Sequence, residues 1–162
     1  MDELKNQECP VCRGKKATLI EDERSFSKFK CFLFSISCSS CNYHKSDIEL
    51  DPPQQQKQEI EIKNSKELKI QVAKSSEAII KIPQLRLTVK PDVSSKGYIT
   101  TIEGILLKYK KELEDDRDNA DSPEERTAAK NQLKKLWKIE LGEVPIKLII
   151  EDASGNSAII QK

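Results

Sequence analysis

CPVC at positions 9–12 and CSSCNYHKSD at positions 38–47 decide how this chain is read: two Cys-x-x-Cys pairs separated by 25 residues. Each pair presents two thiolates from one tight turn. An extended hairpin in the intervening segment brings the turns together, so Cys9, Cys12, Cys38 and Cys41 make one tetrahedral four-cysteine site. Four soft thiolates suit zinc, and iron is the alternative. A site with four protein ligands keeps no position open for water or substrate, which makes the metal structural. The segment of about 45 residues buries too little apolar surface to fold unaided, so metal removal should unfold it. Asn42 follows the second pair where such chains turn left-handed, a conformation Asn tolerates. Arg13 holds that place after the first pair and Gly14 comes next, so the first turn is expected one residue later. A redox reading fits less well, because a thioredoxin-like motif is a single Cys-x-x-Cys at the end of a βαβ strand.

Cys31 lies inside the apolar run KCFLF and reads as a buried structural thiol. His44, the one histidine, could reach the ion only by displacing a thiolate, and reads as a surface residue. All five cysteines fall in the first 41 residues, which marks residues 1–50 as a module. DPPQQQKQ at 51–58 reads as a joint leading into a second unit, 51–162. With 36% hydrophobic and 34% charged residues in 162, the core is modest and the surface densely charged. A net charge of +1 gives no bulk field for nucleic acid or anionic membrane. The start MDELKNQECP lacks a signal-peptide pattern, and no apolar run reaches the roughly 18 residues of a membrane span. A cytoplasmic location is the expectation, where structural disulfides are disfavoured.

Within the module, 28–37 and 43–50 read as paired strands. Beyond the joint, IEI (60–62), LKIQVA (68–73), AIIKI (78–82) and LRLTV (85–89) are β-type runs, the last with Leu85, Leu87 and Val89 on one face. Pro83 belongs at a corner between two of them. Ile102, Ile105, Leu106, Tyr109 and Leu113 then repeat at helical spacing over 102–115. Ser122, Pro123 and Glu125 announce a second helix with Ala129, Leu133, Leu136 and Trp137 inward and an end near Gly142. Together they predict a helical hairpin at about 102–140. VPIKLII (144–150) and AII (158–160) flank the turn formers EDASGNS and predict a terminal β-hairpin. In that turn Asp152, Ser154, Asn156 and Ser157 are explained as turn residues, with ion or phosphate binding the lesser reading.

Walker, GxSxG, HExxH and GxGxxG motifs do not occur, and a single histidine argues against a triad, so the chain reads as non-enzymatic. The hairpin is strongly polarised. Glu112, Glu114, Asp115, Asp116, Asp118, Asp121, Glu124 and Glu125 crowd its tip around Arg117, whereas lysines gather at its base. Asp115 and Asp116 oppose the dipole of the first helix, at a cost of a few tenths to about 1 kcal/mol, so helix stability does not account for the acidic tip.

CPVC, CSSCNY, VAKSSEAIIKIPQLRLTV (72–89), GYITTIEGILL (97–107) and LIIEDASGNS (148–157) together resemble the Zpr-one zinc-finger family along nearly the whole chain. The resemblance implies an α+β, mostly β architecture: an N-terminal four-cysteine zinc ribbon, then a double-stranded β-helix-like A-domain carrying a helical hairpin. It implies one structural zinc and a single copy of a pair that eukaryotic members carry twice. It also implies a chaperone-like role with translation elongation factor 1-alpha as protein partner. The chain departs from the family in reading DASGNS for DPAGNS, and in having Arg13 and Asn42 where Gly usually follows each cysteine pair. The alternative is a nucleic-acid-binding ribbon of the transcription or translation machinery. Residues 1–50 carry eight Lys/Arg and eight Asp/Glu, and a zinc with four thiolates adds −2, which disfavours phosphate binding.

Overall fold

A computed structural model describes residues 1–161. The cysteine-bearing segment is an antiparallel sheet of β1 (Asp2–Gln7), β2 (Ala17–Ser25), β3 (Lys30–Cys38) and β4 (His44–Asp51), in chain order. β3 and β4 are the expected pair, in register from Lys30 opposite Asp51 to Ser37 opposite His44. β1 carries no strand signal: DELKNQ is polar, mostly exposed, and held by pairing with β2. Alternation sorts the sheet into two faces. Leu33 and Cys31, with Ile48 and Leu50 opposite them, point one way; Leu4, Leu19 and Ile36, aligned across three strands, point the other with Phe34.

The remaining chain makes two further sheets and a helical hairpin. Its elements are β5 (Lys57–Ile62), β6 (Gln71–Lys74), β7 (Ile79–Ile82), β8 (Leu87–Val89), β9 (Tyr98–Thr101), α1 (Ile102–Asp118), α2 (Pro123–Glu140), β10 (Ile146–Glu151) and β11 (Ala158–Ile160). One sheet runs β5-β10-β7-β8 and the other β11-β6-β9. Ile80, Ile82, Leu148 and Ile150 of the first sheet meet Val72 of the second in one core, closed by Ile105, Leu106 and Leu136 from the helices. The other face of the three-stranded sheet carries Ala73, Ala158, Ile99 and Ile160, which pack on Cys31, Ile48 and Leu50. β6 is therefore a middle layer: Val72 faces the core and Ala73 faces the ribbon. The molecule is mostly β with two helices, as expected, and no helix among the described residues is long and apolar enough to cross a membrane.

Several expectations change in detail. Pro83 does open a corner, a short 3-10 turn over Pro83–Leu85, and Arg86 follows with φ of 50°. That corner takes Leu85 out of the LRLTV strand, which shrinks to three residues at a sheet edge with Val89 exposed. YITT, to which no element was assigned from the sequence, is strand β9. Thr101 then caps α1 by accepting from the Gly104 N–H. α2 starts as foreseen, with the Ser122 hydroxyl accepting from the Glu125 N–H, and Gly142 lies just beyond its end at φ of 79°. Trp137, however, is 59% exposed, and Ile139 takes the inward place. Adjacent residues diverge by about 100° on a helix, so with Leu136 and Ile139 on the core line Trp137 turns away. β10 and β11 do not pair with each other: β10 joins β5 and β7, and β11 joins β6. The predicted terminal hairpin is instead a crossing between sheets.

The crossing turn is held by a buried carboxylate. Asp152 is 3% exposed and accepts from the hydroxyls of Ser75 (2.6 Å), Ser154 (2.5 Å) and Ser157 (2.5 Å) and from the Ser154 N–H (2.9 Å). Burial alone would raise its pKa, but hydrogen bonds from Ser154, Ser157 and Ser75 outweigh burial and hold it below the usual carboxylate range. The same region ties the ribbon to the sandwich. Asn156 Oδ1 accepts from Leu50 N–H (3.1 Å), Asp47 accepts from the N–H of Ser76 (2.9 Å) and from its hydroxyl, and Gly97 N–H donates to Ser46 O (2.9 Å). Gly97 is required here, because a Cβ would stand 2.5 Å from Asp47 Oδ1 and 2.7 Å from Ile48 N. The 51–58 joint is also tied down: Gln54 N–H donates to Gly155 O (2.8 Å) and Gln56 O accepts from Asp152 N–H (2.7 Å).

Leu136→Ala should cost about 2–5 kcal/mol in urea unfolding, as a large-to-small change in the core, whereas Trp137→Ala should stay within about 0.5 kcal/mol. Asp152→Ala should cost about 3 kcal/mol at neutral pH by leaving buried Ser75 and Ser157 hydroxyls without an acceptor. Because the folded pKa of Asp152 is depressed, its contribution is complete above the unfolded value of about 3.9 and is lost as pH falls through the folded value. An acid titration of wild-type stability should therefore show a loss at low pH that is absent in Asp152→Ala.

Candidate metal centre

The two turns bearing the cysteine pairs are built alike. In the first, Cys9 N–H donates to Gly14 O (2.9 Å), Arg13 N–H returns to Cys9 O (2.9 Å), and Val11 N–H donates to Cys9 Sγ (3.4 Å). In the second, Cys38 N–H donates to Tyr43 O (2.8 Å). Asn42 is left-handed at φ of 59°, as expected, and Arg13 is left-handed too at 56°, so the first turn is not delayed to Gly14. Both chains reverse at the residue directly after the second cysteine. Ala17, at the start of β2, lies opposite Cys38, at the end of β3, and this register sets the two turns side by side.

As a result the sulfurs of Cys9, Cys12, Cys38 and Cys41 all lie within 4.8 Å of one another. Cys9 and Cys41 stand 3.7 Å apart, as do Cys12 and Cys38, and all four thiols are free. A tetrahedral zinc with bonds of about 2.3 Å has sulfur edges of about 3.8 Å, so the donor set fits the ion in number, chemistry and spacing. Cys9 and Cys38 are buried beside Ala17, Ile36 and Tyr43, while Cys12 and Cys41 reach the surface.

The thiols are also electrostatically divided. The Cys41 N–H, with help from that of Ser40, favours the Cys38 thiolate and brings its pKa down to about 6. The Tyr43 N–H favours a thiolate at Cys41 in the same way, but burial and the other three sulfurs outweigh it and push Cys41 up to about 11. Without a cation the cluster has to keep protons; with one, all four sulfurs can ionise.

The other sequence candidates separate from this site. Cys31 is fully buried against Leu50 and Ala73, and burial pushes its thiol up to about 11, in keeping with a structural role. His44 is exposed at the start of β4 and stands outside the cluster. Of the aromatics of the ribbon, Phe29 is buried, Phe26, Phe32 and Tyr43 are half-buried, and Phe34 is 40% exposed on the outer face. The sequence reading missed the ribbon–sandwich seam: Asp47, Ser75, Ser76 and Gly97 were not singled out, and Asp152, Asn156 and Ser157 were taken for turn formers. A signal was present, since KSS, GY and DASGNS are among the stretches that carry the family resemblance, and all three lie at that seam.

The model of the ZPR1 jelly-roll domain matches residues 66–162. An uncharacterized ZPR1-like protein of Methanocaldococcus jannaschii is 29% identical over 163 residues, covering 99% of this chain and 82% of the relative. A second uncharacterized ZPR1-like protein, from Pyrococcus horikoshii, is 29% identical over 99% of this chain and 74% of its own length. A protein of Schizosaccharomyces pombe named a zinc finger chaperone is 27% identical over 80% of this chain, which corresponds to 29% of that longer relative. With one four-cysteine site for a structural zinc on the ribbon and the jelly-roll domain matched over 66–162, this chain belongs to the ZPR1 zinc-finger family.

Proposed function

We propose that the protein is a zinc-dependent, non-enzymatic adaptor of the chaperone kind, acting in the cytoplasm, whose partner is translation elongation factor 1-alpha. Cys9, Cys12, Cys38 and Cys41 are the ligands of one zinc, residues 1–50 are the ribbon it organises, and residues 51–162 are the A-domain that carries it. Bound zinc neutralises the thiolates and fixes the two cysteine turns against each other. Support for a chaperone role comes from the name of the S. pombe relative; support for the elongation factor comes from the family resemblance.

The observation that carries a docking role is the outer face of the ribbon. Leu4 (60% exposed), Leu19 and Phe34 form with Ile36 an apolar patch on a sheet whose opposite face is already buried on the jelly roll. A contiguous apolar surface outside the core that includes an aromatic side chain is what a protein partner would cover. The tip of the α1–α2 hairpin offers a second, acidic contact. α1 ends with Asp115, Asp116 and Asp118 against its own dipole, an arrangement that favours partner recognition over helix stability.

Removing the metal should loosen the ribbon unevenly. The turns at 9–14 and 38–43 have only a small apolar cluster around Ala17, whereas Phe29, Cys31, Ile48 and Leu50 are anchored on Ala73 and Ala158. On chelation, amide exchange should rise sharply over β1 and both cysteine turns while the Cys31 and Leu50 amides stay protected. Uniform protection in chelator would count against a structural ion. For binding, purified elongation factor 1-alpha should bind the zinc-loaded chain and lose affinity for Cys38→Ser. Phe34→Glu, which leaves the metal ligands intact, should weaken it roughly thirtyfold, the factor set by about 2 kcal/mol. Equal binding by all three proteins would refute the ribbon as the docking element, and native pull-downs that recover RNA alone would favour the nucleic-acid reading.

A further inference from the structure

The jelly roll is open at one end. β8 and β9 are edge strands of different sheets, joined by residues 90–97, and α1 lies across the gap between them. The gap is a cleft of about 460 Å³, within the roughly 300–1,000 Å³ of ordinary ligand sites. Leu87, Thr88, Val89 and Lys90 line it consecutively, so the border on that side is the strand's edge rather than one of its faces. Tyr98 and Thr100 line it from β9, on the face opposite to Ile99, which packs toward the ribbon. The floor is apolar, with Ile80 and Ile105. Gly104 keeps that floor low: its backbone stands so close to Thr100 that a Cβ would meet the Thr100 hydroxyl at 2.3 Å.

Among the described residues, the Tyr98 and Tyr109 hydroxyls, those of Thr88 and Thr100, and the Lys90 and Lys108 ammonium groups make no hydrogen bond or ion pair within the chain. Lys74, opposite Tyr98 in β6, is buried with its ammonium 5.5 Å from the centre of the Tyr98 ring and adds positive field at this end of the sandwich. Glu112 is the one acid in the lining. The open ladder edge of β8 is short and followed by Lys90 and Pro91, which guards it against indiscriminate pairing. Free donors, net positive charge, an apolar floor and an unpaired strand edge converge on one kind of occupant.

We propose that this cleft receives an extended acidic peptide segment, which adds as a strand beside β8 and directs a carboxylate to Lys90 and Lys108. Backbone pairing supplies general affinity, alternate apolar side chains fill the floor over Ile80 and Ile105, and the lysines with the two tyrosine hydroxyls select for acid. The site is separate from the ribbon face and from the metal. It does not depend on which partner the ribbon binds.

The test uses the full zinc-loaded chain and a fluorescein-labelled hexapeptide of alternating valine and glutamate, with the valine–lysine peptide as control. The glutamate peptide should bind and shift the amide resonances of Thr88, Val89, Tyr98 and Thr100, and the lysine peptide should do neither. Lys90→Glu combined with Lys108→Glu, both at exposed positions, should weaken it at least about tenfold, equivalent to about 1.4 kcal/mol, with unchanged thermal stability. Phe34→Glu on the ribbon should leave the affinity as it was, so failure here and failure of the ribbon reading are distinguishable. Equal binding of the lysine peptide, indifference to the double reversal, or resonance shifts confined to the ribbon would each overturn the proposal. Citrate that displaced the peptide and shifted the same amides as strongly would overturn it as well, by showing a small-anion site.

Discussion

Four sulfurs confined within 4.8 Å are the constraint on which the amino-terminal third depends. Two thiolates about 4 Å apart repel by about 4 kcal/mol even at an effective dielectric of about 20, and a cluster of four contains six such pairs. No hydrogen bonds from the turn amides offset that repulsion fully. The backbone can favour the thiolate at Cys38, yet the Cys41 thiol is then pushed up to about 11. A divalent ion at the centre converts the repulsion into four bonds, and the apolar cluster around Ala17 is too small to replace it. The strand register that gathers the sulfurs also exposes Leu4, Leu19 and Phe34 beside Ile36 on the outer face.

The base of the ribbon obeys a different physics. Cys31, Ile48 and Leu50 lie on the back of the three-stranded sheet, so their burial comes from the jelly roll and not from the metal. Direction is then fixed by polar contacts that tolerate little displacement: Asp47 to Ser76, Asn156 to Leu50, Ser46 to Gly97. Asp152 is the keystone of the loop that supplies Asn156. It satisfies hydroxyls from two separate stretches of chain, Ser75 on one side and Ser154 and Ser157 on the other, in a place where an unpaired polar group would cost about 1–3 kcal/mol. The ribbon is thus held in a set orientation relative to the helical hairpin, and two surfaces far apart in sequence can meet one partner together.

Local chemistry was legible in the sequence wherever a short pattern determined it. Cysteine spacing, Ser122 and Pro123 at a helix start, Gly142 beyond a helix end, Pro83 at a corner and the aromatic and β-branched residues of KFKCFLFSIS each point to the structure that is present. What was hidden depends on partners distant in the chain. β1 has no apolar pattern because it is an edge strand with one face exposed and the other scarcely covered. VPIKLII and AII look like two arms of a hairpin, and nothing local reveals that the buried Asp152 sends the second arm to another sheet. Trp137 was placed inward by hydrophobicity, although the helical line through Leu136 and Ile139 leaves it outside. Of the candidate site, the four cysteines were legible from spacing, and the seam was not, since Ser, Asp and Gly in a loop carry the same local signal whether exposed or buried.

Two adjoining parts of the surface carry opposite charge. The hairpin tip gathers acids about Arg117, whereas the cleft at the open end of the jelly roll gathers Lys90, Lys108 and the buried Lys74. Both features sit on α1: Lys108 lies in its first half and Asp115, Asp116 and Asp118 in its last turn. The acids of the last turn oppose the dipole of the helix, and helix stability alone gives no reason for them. A surface in which a basic cleft, an acidic tip and an apolar ribbon face are rigidly spaced rewards only a partner that matches all of them. Complementary charge placed on a fixed frame contributes more to selectivity than to affinity.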